Sequence, residues 1–363
     1  MKIVLFDVIG QKSGMDYYDT AFYSQLRSNG FDAEIHSNYS IGKGKPFITN
    51  IYEGNKVKKI FNLLKLLPVF IKDVCRNRKS AYVYMAFGEW VDMVLICLLL
   101  VFHPKPILDV HEFVSLDKEG NRKYTKVFEM LYKHIYALIY HSERSERYLD
   151  RISFGGKRLY VPHFKYEFPK SYNTLELNES VINSISSHHI NILFFGHMRK
   201  SKGINFVFDS IKKTEADVLK RLHFIFAGND AHLIVKKRIG EIKELVSCST
   251  ILRFIEDEEL NYLFDNTDIV LLPYEEVSQS GILEAAVYFR KKMILTDIPY
   301  FKSFSQQYPS FSYIVEKGNI TALSTVYKEI CYNGIKAYMQ QDIEQFYETN
   351  SFKVFFQQLR HIL

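Results

Sequence analysis

IVLLPYEEVSQSGILEAAVYFRKKMILTDIP, residues 269–299, reads as strand, loop, helix, strand. A β-branched and Leu run ends at Pro273, a loop of Glu, Ser, Gln and Gly follows, Ile282 to about Arg290 has helical character, and Met293–Leu295 is apolar again. This is a βαβ unit, and its first loop falls at the carboxyl end of a parallel strand, where open α/β sheets bind ligands. Ser278, Ser280 and Gly281 stand where amides of a helix start can hold a phosphate, and Gly281 lets a ligand approach the main chain. Glu276 and Glu284 flank the turn, eight positions apart. Carboxylates beside an anion site are suited to the hydroxyls of a ribose or a sugar, so the turn points to a nucleotide sugar. An acidic surface loop before an ordinary helix start, with Glu in its first turn, has the same spacing.

Glu276 and Glu284 with SQSG between them resemble the Glu-x7-Glu signature of retaining GT-B glycosyltransferases, in particular family 4. A second α/β series starts with Asn191–Phe195, and the loop after it, GHMRKSKG, sets Arg199 and Lys202 between Gly196 and Gly203. A guanidinium and an ammonium so placed suit a pyrophosphate. The family's counterpart is an Arg-and-Lys loop ending in Lys-Gly, from which this one departs by carrying His197 where Arg is frequent. The resemblance implies Arg199 and Lys202 on the diphosphate with the amides of Gly281 and Ile282, Glu284 on the ribose and Glu276 on the sugar. It is strong over the second half and, over the first, a matter of layout.

The opening of the chain repeats the theme. Lys2–Val8 is a strand expected to be buried on both faces, GQKSG a loop, and Met15–Asn29 a helix stopped by Gly30. Gly10 and Gly14 do not form a dinucleotide fingerprint; in the resembling family this loop lines the cleft, and Gly14 is the counterpart. Ile107–Phe113 ends a strand with Asp109, His111 and Glu112, and His111 is placed to donate or shuttle a proton near neutral pH. His163 is a second cleft candidate. Val91–Phe102, an apolar dozen, is too short to span a bilayer, which takes ~20 residues, and reads as a buried helix. Residues 167–189 lose the apolar runs and read as a linker, and the chain ends in a helix over about 343–363.

Composition bounds the class. The 363 residues are 47% hydrophobic and 24% charged, which describes a globular chain with room for two cores. Four cysteines without metal-like spacing fit a reducing compartment, and Met1–Val8 reads as a strand rather than a signal peptide. Residues 1–177 hold 26 Lys or Arg against 19 Asp or Glu, while 178–363 hold 21 against 22. Part of the basic excess lies in residues 56–79, where Lys and Arg surround Ile60, Phe61, Leu63, Leu64, Leu66 and Leu67, and Pro68 is expected to kink or divide the helix. Such a segment can rest on an anionic membrane or pack on a core with a solvated basic face.

The resulting expectation is an α/β chain of the GT-B kind. Two Rossmann-like domains, 1–170 and 185–342, would face each other across a cleft, with the last helix crossing back onto the first. The function implied is retaining, family 4-like hexosyl transfer from a UDP- or GDP-sugar to a glycan or lipid-linked saccharide in cell-surface polysaccharide biosynthesis. The enzyme would be cytoplasmic or peripheral on the inner membrane face, with no nucleic-acid partner. His111 would join the catalytic set with Glu276, Arg199 and Lys202; Gly14, Gly196, Ser280, Gly281, Ile282 and Glu284 would bind the donor. No DxD-like ligand set appears in the sequence, so no metal and no permanently bound cofactor is expected. The alternative is an inactive nucleotide-sugar-binding partner subunit.

Overall fold

The computed structural model describes residues 2–10, 15–41, 45–52, 54–111, 113, 115–116, 122–161, 172–277, 280–349 and 352–362. Gly14, His163 and Ser278 lie outside the described residues. The chain divides into two compact units, Met1–Phe164 with Asn350–Leu363, and Lys165–Thr349.

In the first unit the order is β1 (Lys2–Phe6), α1 (Met15–Ser28), β2 (Asp32–His36), α2 (Lys56–Arg76), β3 (Ala81–Ala86), α3 (Trp90–Phe102) and β4 (Ile107–Val110). A short antiparallel pair, β5 (Ser115–Leu116) and β6 (Arg122–Lys123), precedes α4 (Thr125–Tyr132), β7 (Ala137–Tyr140), α5 (Glu143–Arg151) and β8 (Lys157–Tyr160). The parallel sheet runs β2-β1-β3-β4-β7-β8. Strands buried on both faces need unbroken apolar runs, and β3 (AYVYMA) and β7 (ALIY) supply them. Phe6 is surrounded by the rings of Phe70, Tyr82 and Tyr84 at 4.8–6.2 Å. Pro68 does not divide α2, which is one helix of 21 residues. Proline removes only its own amide from the ladder, and Pro68 sits on the exposed side, so the inner contacts of Leu66 and Phe70 hold the helix through it.

The second unit repeats the plan. Its elements are α6 (Glu179–Ile182), β9 (Ile190–Phe195), α7 (Ile204–Lys213), α8 (Ala216–Leu219), β10 (Leu222–Ala227), α9 (Ile234–Arg238), β11 (Ser247–Ile251), α10 (Asp257–Asp265) and β12 (Ile269–Leu272). Then come α11 (Gly281–Tyr288), β13 (Lys292–Thr296), α12 (Pro299–Gln307), β14 (Ser312–Val315), α13 (Ile320–Asn333) and α14 (Gln340–Thr349). The parallel sheet runs β11-β10-β9-β12-β13-β14, with Ile192 opposite Ile269 and Leu193 opposite Val270. The stretch expected to be one helix over 343–363 is two, α14 in the second unit and α15 (Lys353–Ile362) in the first. Helix α15 packs on β8, and Tyr136 donates its hydroxyl to the Ile362 carbonyl at 2.9 Å. No helix among the described residues is long and apolar enough to cross a membrane.

Candidate functional site

In the second unit the strand order reverses between β9 and β12, so the loops leaving those two strands flank the switch point of the sheet. Each loop is shaped by contact with the other. Gly203 has φ +71°, and a Cβ there would meet the Pro273 carbonyl oxygen at 1.8 Å; one at Gly196 would meet Cδ1 of Ile282 at 2.8 Å. Glycine is therefore required where the first loop touches the second. The Glu275 amide donates to the Ser201 carbonyl at 2.9 Å. Lys202 Nζ lies 3.7 Å from the ring centroid of Tyr274, which is 1% exposed. Met198 is buried, and its amide donates to the Asn229 carbonyl, which leaves Arg199 exposed at the loop surface.

Helix α11 begins at this place. Ser280 caps it by accepting from the Leu283 amide at 3.3 Å, and the amides of Gly281 and Ile282 precede the first intrahelical acceptor. Lys202, Gly196, Ser280, Gly281 and Ile282 are thus held at one end of one sheet, with exposed Arg199 and Glu276 on its loops. Two cations and a helix N-terminus together form an anion-binding environment. His197 adds no charge, since partial burial and the neighbouring Arg199 and Lys202 lower its pKa.

The two glutamates, alike in sequence, differ in place. Glu276 is exposed, whereas Glu284 is buried and burial holds its pKa well above the ordinary carboxylate range. Tyr347 of α14 is close enough that burial and Glu284 together push its phenol up to about 12. Burial therefore favours the protonated carboxyl at Glu284 over the bare acceptor expected from sequence.

The first unit collects a different chemistry at its own switch point, between β1 and β3, and at the end of β4. Asp7 accepts from the amides of Ile9 and Gly10 at 2.8 and 2.5 Å, and lies close enough to Asp19 on α1 for their charges to interact. Burial, then the charge of Asp7, raises Asp19 well above its usual range. Asp109 accepts from the Tyr18 hydroxyl at 2.6 Å on one oxygen and lies 2.6 Å from His141 Nε2 on the other. Burial pushes its pKa up, but His141, His111 and these hydrogen bonds outweigh that and hold it low.

His111 begins just past β4, which ends at Val110 rather than running to Phe113. Its ring is stacked between Phe87, 5.1 Å away, and His141, 4.7 Å away, with Tyr18 edge-on at 4.6 Å and Asp109 3.5 Å from Nε2. Burial, only partly offset by Asp109, lowers its pKa to about 4. A pKa this low disfavours the proton shuttle near neutral pH expected of His111 and favours the neutral ring. Asp109, His111 and His141 also bring donor atoms within 4.8 Å of one another, a spacing that metal ligands can share.

Sequence reasoning missed His141, Tyr18, Asp7, Asp19 and Tyr274. His141 was the easiest to find: like His111 it directly follows an apolar strand, and Asp109 of β4 pairs in register with Ile139 of β7.

No family model matches the chain, and no curated protein matches it. Solved structures do. A sucrose-phosphate synthase from Thermosynechococcus elongatus superposes with a TM-score of 0.73 at 14% identity, over 100% of this chain and 98% of that one. An α,α-trehalose-phosphate synthase (UDP-forming) from Burkholderia vietnamiensis gives 0.68 at 9% identity, over 99% and 97%. HepE from Anabaena, solved with UDP and glucose, gives 0.62 at 13% identity, over 100% and 98%. The fold is that of the GT-B glycosyltransferases.

Proposed function

We propose that the protein is a retaining glycosyltransferase that moves a sugar from a nucleoside-diphosphate sugar to a saccharide or lipid-linked saccharide. The observation that carries this reading is the joined pair of loops after β9 and β12. It sets Lys202, the α11 amides and a buried Glu284 at one switch point, with Arg199 on the same loop. Likeness to structures solved with UDP and glucose favours a UDP-sugar over other donors.

In this reading Arg199, Lys202 and the amides of Gly281 and Ile282 hold the diphosphate, Glu284 holds the ribose and Glu276 the sugar hydroxyls. Gly196 lets Ile282 close on the loop, and Gly14 joins the donor-binding set. The bond from the anomeric carbon to the diphosphate oxygen breaks on the face where the acceptor oxygen bonds, and a phosphate oxygen takes the acceptor proton. Glu276 and Glu284 are assigned to hydroxyls, so neither serves as a nucleophile beneath the anomeric carbon, and retention follows from attack on the face that the diphosphate leaves. Neutral His111 orients the transferred sugar. The family 4 type, a role in cell-surface polysaccharide synthesis and residence on an anionic membrane through residues 56–79 belong to the same proposal.

The test is a thermal-shift screen of UDP, GDP and ADP with their sugars, in which a ligand at 100 times its Kd adds about 2.7 kcal/mol of stability. No shift with any of them would remove the donor site, and a β-linked product from an α-linked donor would remove retention.

A further inference from the structure

Helix α2 has two apolar faces, and the core uses one. Leu63, Leu66, Phe70 and Val74 are buried among the strands of the first unit. Val57, Ile60, Phe61 and Leu64, spaced i, i+3, i+4 and i+7, face outward and are 76, 53, 55 and 58% exposed. Pro68 and Cys75 continue that line, also exposed. Along one flank run Lys58, Lys65, Lys72 and Arg76, all exposed, and Lys65 Nζ lies 4.4 Å from the Phe61 ring centroid, so row and stripe adjoin. The one acid of the helix, Asp73, is on the core side, bonded to His36, Tyr82 and Asn77. Among the described residues, the outer surface of α2 carries hydrocarbon and positive charge and no anion.

Of the two roles left open by the sequence, packing on the core with a solvated basic face does not account for this. A core-packing helix needs the inner face alone, and a solvated basic face needs no outward Phe and Leu. A straight stripe with a basic flank matches a layered surface, acyl chains beneath anionic headgroups.

We propose that α2 is an in-plane membrane anchor whose outer stripe inserts among the acyl chains of an anionic leaflet, with the Lys58, Lys65, Lys72 and Arg76 row at the level of the lipid phosphates. This deepens the membrane part of the proposed function and rests on it, but changes its physics: attachment is by insertion as well as by charge.

The full-length protein is sedimented with vesicles of phosphatidylcholine alone and with about one-third phosphatidylglycerol, at low salt and at about 0.5 M salt, where screening leaves ~4 Å or less. Wild type is expected to bind the anionic vesicles and to keep a fraction bound at high salt. The Phe61→Ser, Leu64→Ser double variant should bind at least ~10-fold more weakly and lose the salt-resistant fraction. The Lys65→Gln, Lys72→Gln, Arg76→Gln variant should lose on the order of 10²-fold and the preference for anionic lipid. Brominated acyl chains should quench the added emission of Phe61→Trp. Equal binding of the double variant and wild type, or no binding of wild type to either vesicle, overturns insertion. So does a wild-type dimer that becomes monomeric in the double variant without vesicle binding. Calorimetry of UDP on the same proteins separates the readings: lost vesicle binding with intact UDP binding leaves the donor site standing, and the reverse leaves the anchor standing.

Discussion

At the ends of β9 and β12 the second unit gathers cations and free amides around two glycines; at the ends of β1 and β4 the first unit gathers three buried carboxyls and two imidazoles. Both places follow from the same parallel-sheet plan, in which loops at the carboxyl ends of strands are free to diverge while the strands stay apolar. What differs is how each is held. The cationic end is clamped by backbone, through the Ser201–Glu275 hydrogen bond and the close approach of Gly203 to Pro273, so its side chains remain available to a ligand. The carboxyl end is held by the side chains themselves, and a group inside it cannot be changed without loosening its neighbours.

The largest effect expected from this contrast is at Lys202 and Arg199. Lys202→Ala or Arg199→Ala should slow transfer on the order of 10² or more by removing charge that stabilises the leaving diphosphate, with little change in unfolding temperature. Steady-state kinetics equal to wild type in both variants would end the phosphate assignment. Tyr274, whose ring lies under the Lys202 ammonium, should matter through that lysine. Tyr274→Leu is expected to weaken UDP binding by about tenfold, and Tyr274→Phe, which keeps the ring face, to restore most of it.

The opposite signature is expected at His111. His111→Ala should lower kcat about tenfold, the scale of one lost hydrogen bond, while calorimetric UDP affinity stays near wild type. A matching loss of UDP affinity would place His111 on the donor nucleotide and blur the contrast. Because the His111 pKa is near 4, the rate should show no inflection from this residue between pH 6 and pH 8.

How far the sequence reached depends on the same difference. GHMRKSKG and SQSG are contiguous, so their glycines, cations and helix start are readable in one window, and the unbroken apolar runs before them mark the strands. The carboxyl cluster is assembled from β1, α1, β4 and the residue after β7, and the Tyr18–Asp109 hydrogen bond alone joins positions 91 apart. No local pattern carries that. Burial of Glu284 was equally hidden, since Glu in the first turn of a helix is ordinary and only packing shows that this one lies beneath the surface.

A smaller effect follows from Glu284. Its folded pKa is raised above the unfolded value near 4.5, so its contribution to stability is fully present below that value and is lost as pH rises through the folded pKa. Glu284→Gln removes the titration. Its unfolding temperature should exceed wild type at pH 8 by on the order of a few degrees, and the two should converge toward pH 4. Parallel curves across that range would mean that Glu284 is ionised in the folded protein.

The smallest expected effect is none, on adding EDTA. In the proposed reaction the charge on the departing diphosphate is met by Arg199, Lys202 and the amides of α11, so a divalent ion has no step to serve at the cationic end. At the carboxyl end the case rests on Asp109. One of its oxygens accepts from Tyr18, and the other lies 2.6 Å from His141 Nε2, closer than two ligands of one ion ordinarily approach. His141 Nδ1 lies 3.0 Å from the Val161 carbonyl, so both nitrogens of that ring face oxygens of the protein. A cation entering Asp109, His111 and His141 would have to separate the His141–Asp109 pair first. Transfer measured after EDTA treatment and desalting should equal the untreated rate. A loss restored by a divalent ion in wild type, and absent in His141→Ala, would move the metal to the first unit and reverse which end carries the decisive positive charge.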